Sequence, residues 1–234
     1  MQLFTSLLAL VALVSAEKGN YHAGPRDLKG KGGGKKGGKK GKSLTLTVTN
    51  ESFNQPFSGV FVMVHNEFAA PLYVRGKQSS EALAMLAEHG DAAPLVDYYT
   101  ANNIGVYYTK VFTGGAPYFG GEVFQFEVET SRDYPLVTIA TMAINTNDCF
   151  TALNGVYVYP GLVLDVPGLD AGSEENNEKC SSMPGPACAS IDGGNVDSGN
   201  GEGSVHVHRG FHGIGDLAAD RYDWRNPMMN VVVS

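Results

Sequence analysis

Apolar and polar positions alternate with a period of two along several short stretches of this chain. Leu44, Leu46 and Val48 alternate with Thr45, Thr47 and Thr49, and Phe124, Phe126 and Val128 alternate with Gln125, Glu127 and Glu129. Each stretch therefore presents one apolar and one polar face, the signature of a half-buried β-strand. Residues 60–64 form a continuous apolar run that predicts a central strand, and residues 104–112 are rich in β-branched and aromatic side chains. Residues 136–144 predict a further strand, leading into an acidic loop. Residues 156–159 and 162–166 predict a short pair around Pro160-Gly161, and residues 205–208 and 229–233 close the pattern. A helical stripe is clear over residues 80–88, where Leu83, Leu86 and Ala87 share a face between Ser79 as cap and Gly90 as terminator. A second short helix is predicted over 94–99. The fold class is all-β: an antiparallel β-sandwich of about eight or nine strands, with one or two short helices in a crossover.

Charge and composition divide the chain into three parts. Residues 1–16 hold an apolar stretch too short to span a bilayer, ending in Val14-Ser15-Ala16, which predicts a cleaved signal peptide and a secreted, extracellular product. Residues 17–42 carry nine basic and two acidic side chains; from position 29 onward only Lys and Gly occur, with seven Lys. Like charges repel and no apolar residue is available to bury, so this segment is predicted to be disordered. Residues 43–234 reverse the balance, with eight basic and twenty-two acidic side chains, and fit one folded domain. The overall net charge of −7 hides that split. The basic segment suits an anionic polysaccharide or other anionic component of matrix or cell surface. Nucleic acid is excluded as partner by the lack of interleaved aromatics and by the signal peptide. No later run is long and apolar enough for a transmembrane segment.

Acidic residues recur where predicted strands end. Asp148 follows Asn145-Thr146-Asn147, and Asp170 and Glu174 flank Ala171-Gly172-Ser173. Gly172 permits the sharp turn that would aim both carboxylates at one point. Three carboxylates brought together at one end of a sandwich would repel one another unless a cation neutralised them. Oxygen donors on loops favour Ca²⁺ over transition metals. Asn145 and Asn147 are available as further oxygen donors.

The order of these motifs resembles the spondin N-terminal domain family. The residues that carry the resemblance are His65-Asn66, Ser80-Glu81-Ala82-Leu83, Ala140-Thr141-Met142, Asn145-Thr146-Asn147-Asp148 and Asp170-Ala171-Gly172-Ser173-Glu174. Near the end come Gly201-Glu202-Gly203, His206-Val207-His208 and Tyr222-Asp223-Trp224-Arg225-Asn226-Pro227. The resemblance spans residues 44–233. It implies an extracellular β-sandwich that binds Ca²⁺ through loop acids and serves cell adhesion or extracellular-matrix contact, with Asp148, Asp170 and Glu174 as the metal ligands. Two positions depart from the animal spondins: Glu174 stands where they carry Asp, and Asn147-Asp148-Cys149 replaces a Pro-Asp-Trp context.

A rival constellation is His206, His208 and His212, with Asp216 and Asp220 nearby. Residues two apart on a strand share a face, so this set could ligate Zn²⁺ or Cu²⁺ as a metalloprotein or metalloenzyme; the alternative is a set of hydrogen-bonded histidines that orient the closing loop. Catalytic motifs are otherwise lacking: no nucleophile elbow, no zinc-protease helix and no phosphate-binding glycine loop occurs, which argues for a binding module and against an enzyme. Cys180 and Cys188 bracket Pro184-Gly185-Pro186 and are the favoured disulfide, with the other two pairings open; Cys149 is then a buried free thiol. Asn50-Glu51-Ser52 is an N-glycosylation sequon.

Overall fold

A computed structural model describes residues 41–189 and 196–234 of the chain. The segments read as signal peptide and basic tail lie outside them up to residue 40. Ten strands form two antiparallel sheets, as the alternating pattern requires. The four-stranded sheet runs β4 (Val123–Thr130), β1 (Lys42–Asn50), β10 (Met229–Val233), β7 (Val163–Val166). The six-stranded sheet runs β3 (Val106–Phe112), β2 (Val60–His65), β5 (Leu136–Met142), β6 (Cys149–Tyr157), β8 (Gly168–Asp170), β9 (His206–Val207).

Strand β2 shows why some runs alternate and others do not. Its Val60, Val62 and Val64 enter the core between the sheets, where they join Leu46, Phe126 and Val231. Its Phe61 and Met63 point to the opposite face, beneath the helices α1 (Glu81–His89) and α2 (Ala93–Ala101). With both faces covered, every position from Val60 to Val64 is apolar. Strand β1 belongs to the other sheet, whose outer face meets water, and it keeps the alternation. Both helices lie in the crossover from β2 to β3, as the sequence predicts. Ser80 caps α1, its Oγ accepting from Leu83 N at 3.2 Å, and Gly90 ends it in the left-handed region at φ 68°. The cap is thus one residue later than the Ser79 read from the pattern.

The predicted hairpin across Pro160-Gly161 is not formed. Val156 and Tyr157 belong to the end of β6, which pairs with β5, whereas β7 crosses to the other sheet and pairs with β10. Strand β6 runs on through Asn154-Gly155, a turn dipeptide that here lies inside a strand. Gly155 takes φ 68° where the β5–β6 register shifts, and its N–H donates to Thr138 Oγ1 at 2.8 Å. A β-bulge uses the same backbone freedom that a turn does. A one-turn helix, α3 (Ala219–Tyr222), carries no apolar periodicity long enough to announce it.

Cys180 and Cys188 form the disulfide, and Cys149 is a buried free cysteine whose thiol burial pushes well up. Among the described residues no helix is long and apolar enough to cross a membrane.

The asparagine of the sequon lies in the core. Asn50 is fully buried, and its Nδ2 donates to Gln55 O at 2.8 Å and to Tyr118 O at 2.9 Å while its Oδ1 accepts from Ser52 N and Oγ. The nitrogen that would carry a glycan is spent on structure. Replacing it removes four buried hydrogen bonds, although Gln55 O keeps the Ser52 hydroxyl and Tyr118 O keeps Phe57 N, so Asn50→Ala is predicted to lower stability by about 2–4 kcal/mol in urea unfolding; a loss below about 0.5 kcal/mol would contradict this role.

Candidate metal centre

Three strand ends of the six-stranded sheet meet at one edge of the molecule. Strands β6 and β8 are antiparallel with Cys149 opposite Asp170, and β8 and β9 pair Asp170 with His206. This register puts Asp148, Asp170 and His206 in a row at the mouth of the loops that follow. Asp148 and Asp170 are buried, at 0% and 1% exposure.

The turn after β8 wraps around Asp148. Asp148 Oδ2 accepts from Ser173 N at 2.8 Å, Ser173 Oγ at 3.3 Å and Glu174 N at 3.1 Å. Ala171 N donates to the Asp148 carbonyl at 3.1 Å. Gly172 makes the turn at φ 67°, and a Cβ there would stand 2.5 Å from Ser204 N and O. Gly203 N donates to Gly172 O at 2.8 Å, locking the two glycine loops together. That contact brings in Glu202, whose carboxylate comes together with Asp170 and His206 so that their ligand atoms lie within 4.8 Å of one another.

The hydrogen bonds of this cluster are incomplete. Asp170 Oδ1 accepts from Gly172 N at 2.7 Å, and its Oδ2 accepts from Asn176 Nδ2 at 2.6 Å. Asn176 Nδ2 also donates to Glu202 Oε1 at 3.2 Å. Asp148 Oδ1 is buried with no partner at all. A buried carboxylate oxygen without a donor or counterion loses its hydration and gains nothing in return. Burial first, and then the Asp170 charge, push the Asp148 carboxyl up to about 8. Asp170 is also raised, mainly by burial, against the opposing pull of Asn176 and His206.

Glu174 is held differently. Its backbone N–H serves Asp148, while its carboxylate turns to Ser198 N, which donates to Oε1 at 3.1 Å. Oε2 is buried without a partner, and burial raises this carboxyl to about 7. Of the three acids read from the sequence, Asp148 and Asp170 are thus brought together, and Glu174 reaches the pair through its main chain. Asn145 and Asn147 are used in the frame: Asn145 Oδ1 accepts from Ala187 N, and Asn147 Oδ1 accepts from Glu178 N.

The histidines separate. His206 Nδ1 donates to Ser204 O at 2.9 Å and lies 3.7 Å from Asp170 Oδ1. His208 is buried against Trp224, accepts from Gly210 N and donates from Nε2 to Asn176 Oδ1 at 3.1 Å. Burial pushes His208 down to about 3, so it is neutral and serves to orient Asn176. His212 is exposed, and Asp216 accepts from Cys180 N. Glu202 and Asn176 are the cluster members that pattern reading missed. Glu202 had only its flanking glycines as a signal; Asn176 had none.

Among the described residues the side chains close enough to share a metal ion are Asp170, Glu202 and His206; Asp148 is buried beside Asp170 and lies outside that set. Compared with known proteins, the chain matches no family model and no curated sequence.

The raised carboxyls set a pH dependence for the metal-free protein. Asp148 at about 8 and Glu174 at about 7 hold protons more tightly than in the unfolded chain, where carboxyls titrate near about 4. Their contribution to stability is present below the unfolded value and is lost as pH rises through about 7 and 8. Melting temperature without metal is therefore predicted to fall between about pH 5 and pH 8.5, less steeply in Asp148→Asn. A flat profile in the parent protein would contradict the raised values.

Proposed function

We propose that this protein is a secreted calcium-binding module of spondin type that works by adhesion or matrix contact and not by catalysis. The observation that carries the reading is the buried, unpartnered Oδ1 of Asp148 beside Asp170 at the loop end of a β-sandwich. Such a group is completed by a proton, by a buried water or by a cation, and the neighbouring Asp170 charge favours the cation. The carboxylate oxygens of Asp170 and Glu202, with Asp148 buried beside Asp170, favour Ca²⁺. The resemblance to spondin domains points to the same ion at the same loops. In this reading the cation ties three strand ends and two glycine loops together, and so fixes the surface that a partner would meet. The Lys/Gly segment supplies attraction for anionic matrix or cell-surface polymers.

A histidine-ligated Zn²⁺ or Cu²⁺ protein has less support. Both ring nitrogens of His208 are engaged in hydrogen bonds and His212 faces solvent, leaving His206 alone beside the acids.

Calorimetric titration separates the readings. Ca²⁺ is predicted to bind the parent protein and to raise its melting temperature by about 5–10 °C when present a hundredfold above its Kd. Asp170→Asn is predicted to weaken binding at least tenfold, whereas His212→Ala leaves it unchanged. No heat and no melting shift with Ca²⁺, or tighter binding of Zn²⁺ that His206→Ala abolishes, would overturn the calcium reading.

A further inference from the structure

A cleft of about 480 Å³ opens at the end of the sandwich opposite the acidic loops. Strand β6 connects the two ends: Cys149 starts it beside Asp170, and Tyr157 finishes it on the cleft wall, about 25–30 Å away at the rise of an extended strand. The wall has a distinct chemistry. Lys42 and Arg132 supply positive charge, Ser131 supplies a hydroxyl group, and Tyr157 and Tyr159 supply aromatic surface, while the buried Thr130 turns its hydroxyl to Lys42 O.

The tyrosines are placed by the period of the strand and its continuation. Tyr157 and Tyr159 point outward, 58% and 50% exposed, while Val158 between them is buried at 5%. Their ring centroids lie 6.3 Å apart with the planes tilted by 39°. They form a side-by-side platform, not a slot that would sandwich a flat base between parallel rings. Large exposed rings are costly to leave in water and serve as contact surface for ligands that are apolar on one face and polar at the edge.

Charge decides which ligand. The domain from residue 43 onward is strongly acidic, yet the ionisable side chains that line this cleft with the tyrosines are the cations Lys42 and Arg132. Cations beside aromatic faces and hydroxyl groups match a sugar ring that carries acid groups. The ring's C–H face lies on the tyrosines, a hydroxyl meets Ser131, and its sulfate or carboxylate meets Lys42 and Arg132. We propose that this cleft binds an anionic saccharide unit, sulfated or carboxylated. The site is separate from the calcium cluster and locates, on the folded domain, an anionic partner assigned above to the basic segment alone. Lys42 is the last of the seven lysines of that segment and the first residue of β1.

The test uses the full chain and two probes: a sulfated heparin tetrasaccharide, short enough for one cleft, and long-chain heparin. Wild type is compared with Tyr157→Ala/Tyr159→Ala, with Lys42→Gln/Arg132→Gln, with Tyr157→Phe, and with a deletion of residues 29–40. The tetrasaccharide is predicted to lose at least fivefold affinity in each double variant, to keep it within twofold in Tyr157→Phe, and to keep it within twofold in the deletion. Desulfated tetrasaccharide is predicted to bind at least tenfold more weakly than the sulfated form. Unchanged tetrasaccharide binding in both double variants overturns the cleft proposal. If long-chain heparin binding is also lost on deletion, the tail remains the sole anionic site. Equal binding of the desulfated form, or tighter binding of a short oligothymidylate than of the tetrasaccharide, also overturns it. Melting curves of the double variants within about 2 °C of wild type show that a loss of affinity is local, since both tyrosines are half exposed.

Discussion

Carboxylates from neighbouring strand ends cannot be packed together in a protein interior without something to balance them. The pairing of β6 with β8, and of β8 with β9, forces that situation here, because register sets Asp170 between Cys149 and His206, and Asp148 immediately precedes Cys149. Main-chain N–H groups of Ser173 and Glu174 satisfy one oxygen of Asp148 and leave the other bare. Fixed dipoles and Asn176 reduce the repulsion but do not remove it, and the Asp148 carboxyl remains displaced to about 8. Burial of this kind is retained where a proton or a cation completes it. The glycine contacts between the two loops, and the neutral His208 that orients Asn176, hold the acids in place against their own repulsion.

Much of this architecture could be read from the chain before any coordinates. Period-two alternation located β1 and β4, the uniform run of β2 announced a strand covered on both faces, and the α1 stripe with its Gly90 terminator announced a helix. The failures have local physical causes. Asn154-Gly155 signals a turn and forms a bulge, because both need a residue at positive φ and only tertiary pairing distinguishes them. The Asn50 sequon is chemically intact but lies in the core, a fact that depends on Tyr118, sixty-eight residues away.

The acidic centre was legible in part for the same reason. Asp148 and Asp170 end apolar runs, so strand pairing could be expected to gather them. Glu174 satisfies the same spacing logic, yet its side chain follows Ser198, on a segment whose approach no local pattern encodes. Glu202 enters only because Gly172, Gly201 and Gly203 let two loops pass at main-chain distance. Long-range contacts between irregular segments carry no periodicity, and so leave little trace in the sequence. The two ends of the sandwich then differ in their ionisable side chains, Asp148 and Asp170 at the loops after β5 and β8 and Lys42 and Arg132 at the cleft beside Tyr157.

A crystal structure grown in saturating CaCl₂ tests the central claim most directly, because it reports on Asp148 Oδ1 itself. The account predicts an ion bonded to Asp148 and Asp170 at about 2.3–2.6 Å, with Glu202 drawn into or beside its coordination shell. A neutral Asp148 hydrogen-bonded to water, with no ion at the loop end under those conditions, would contradict it.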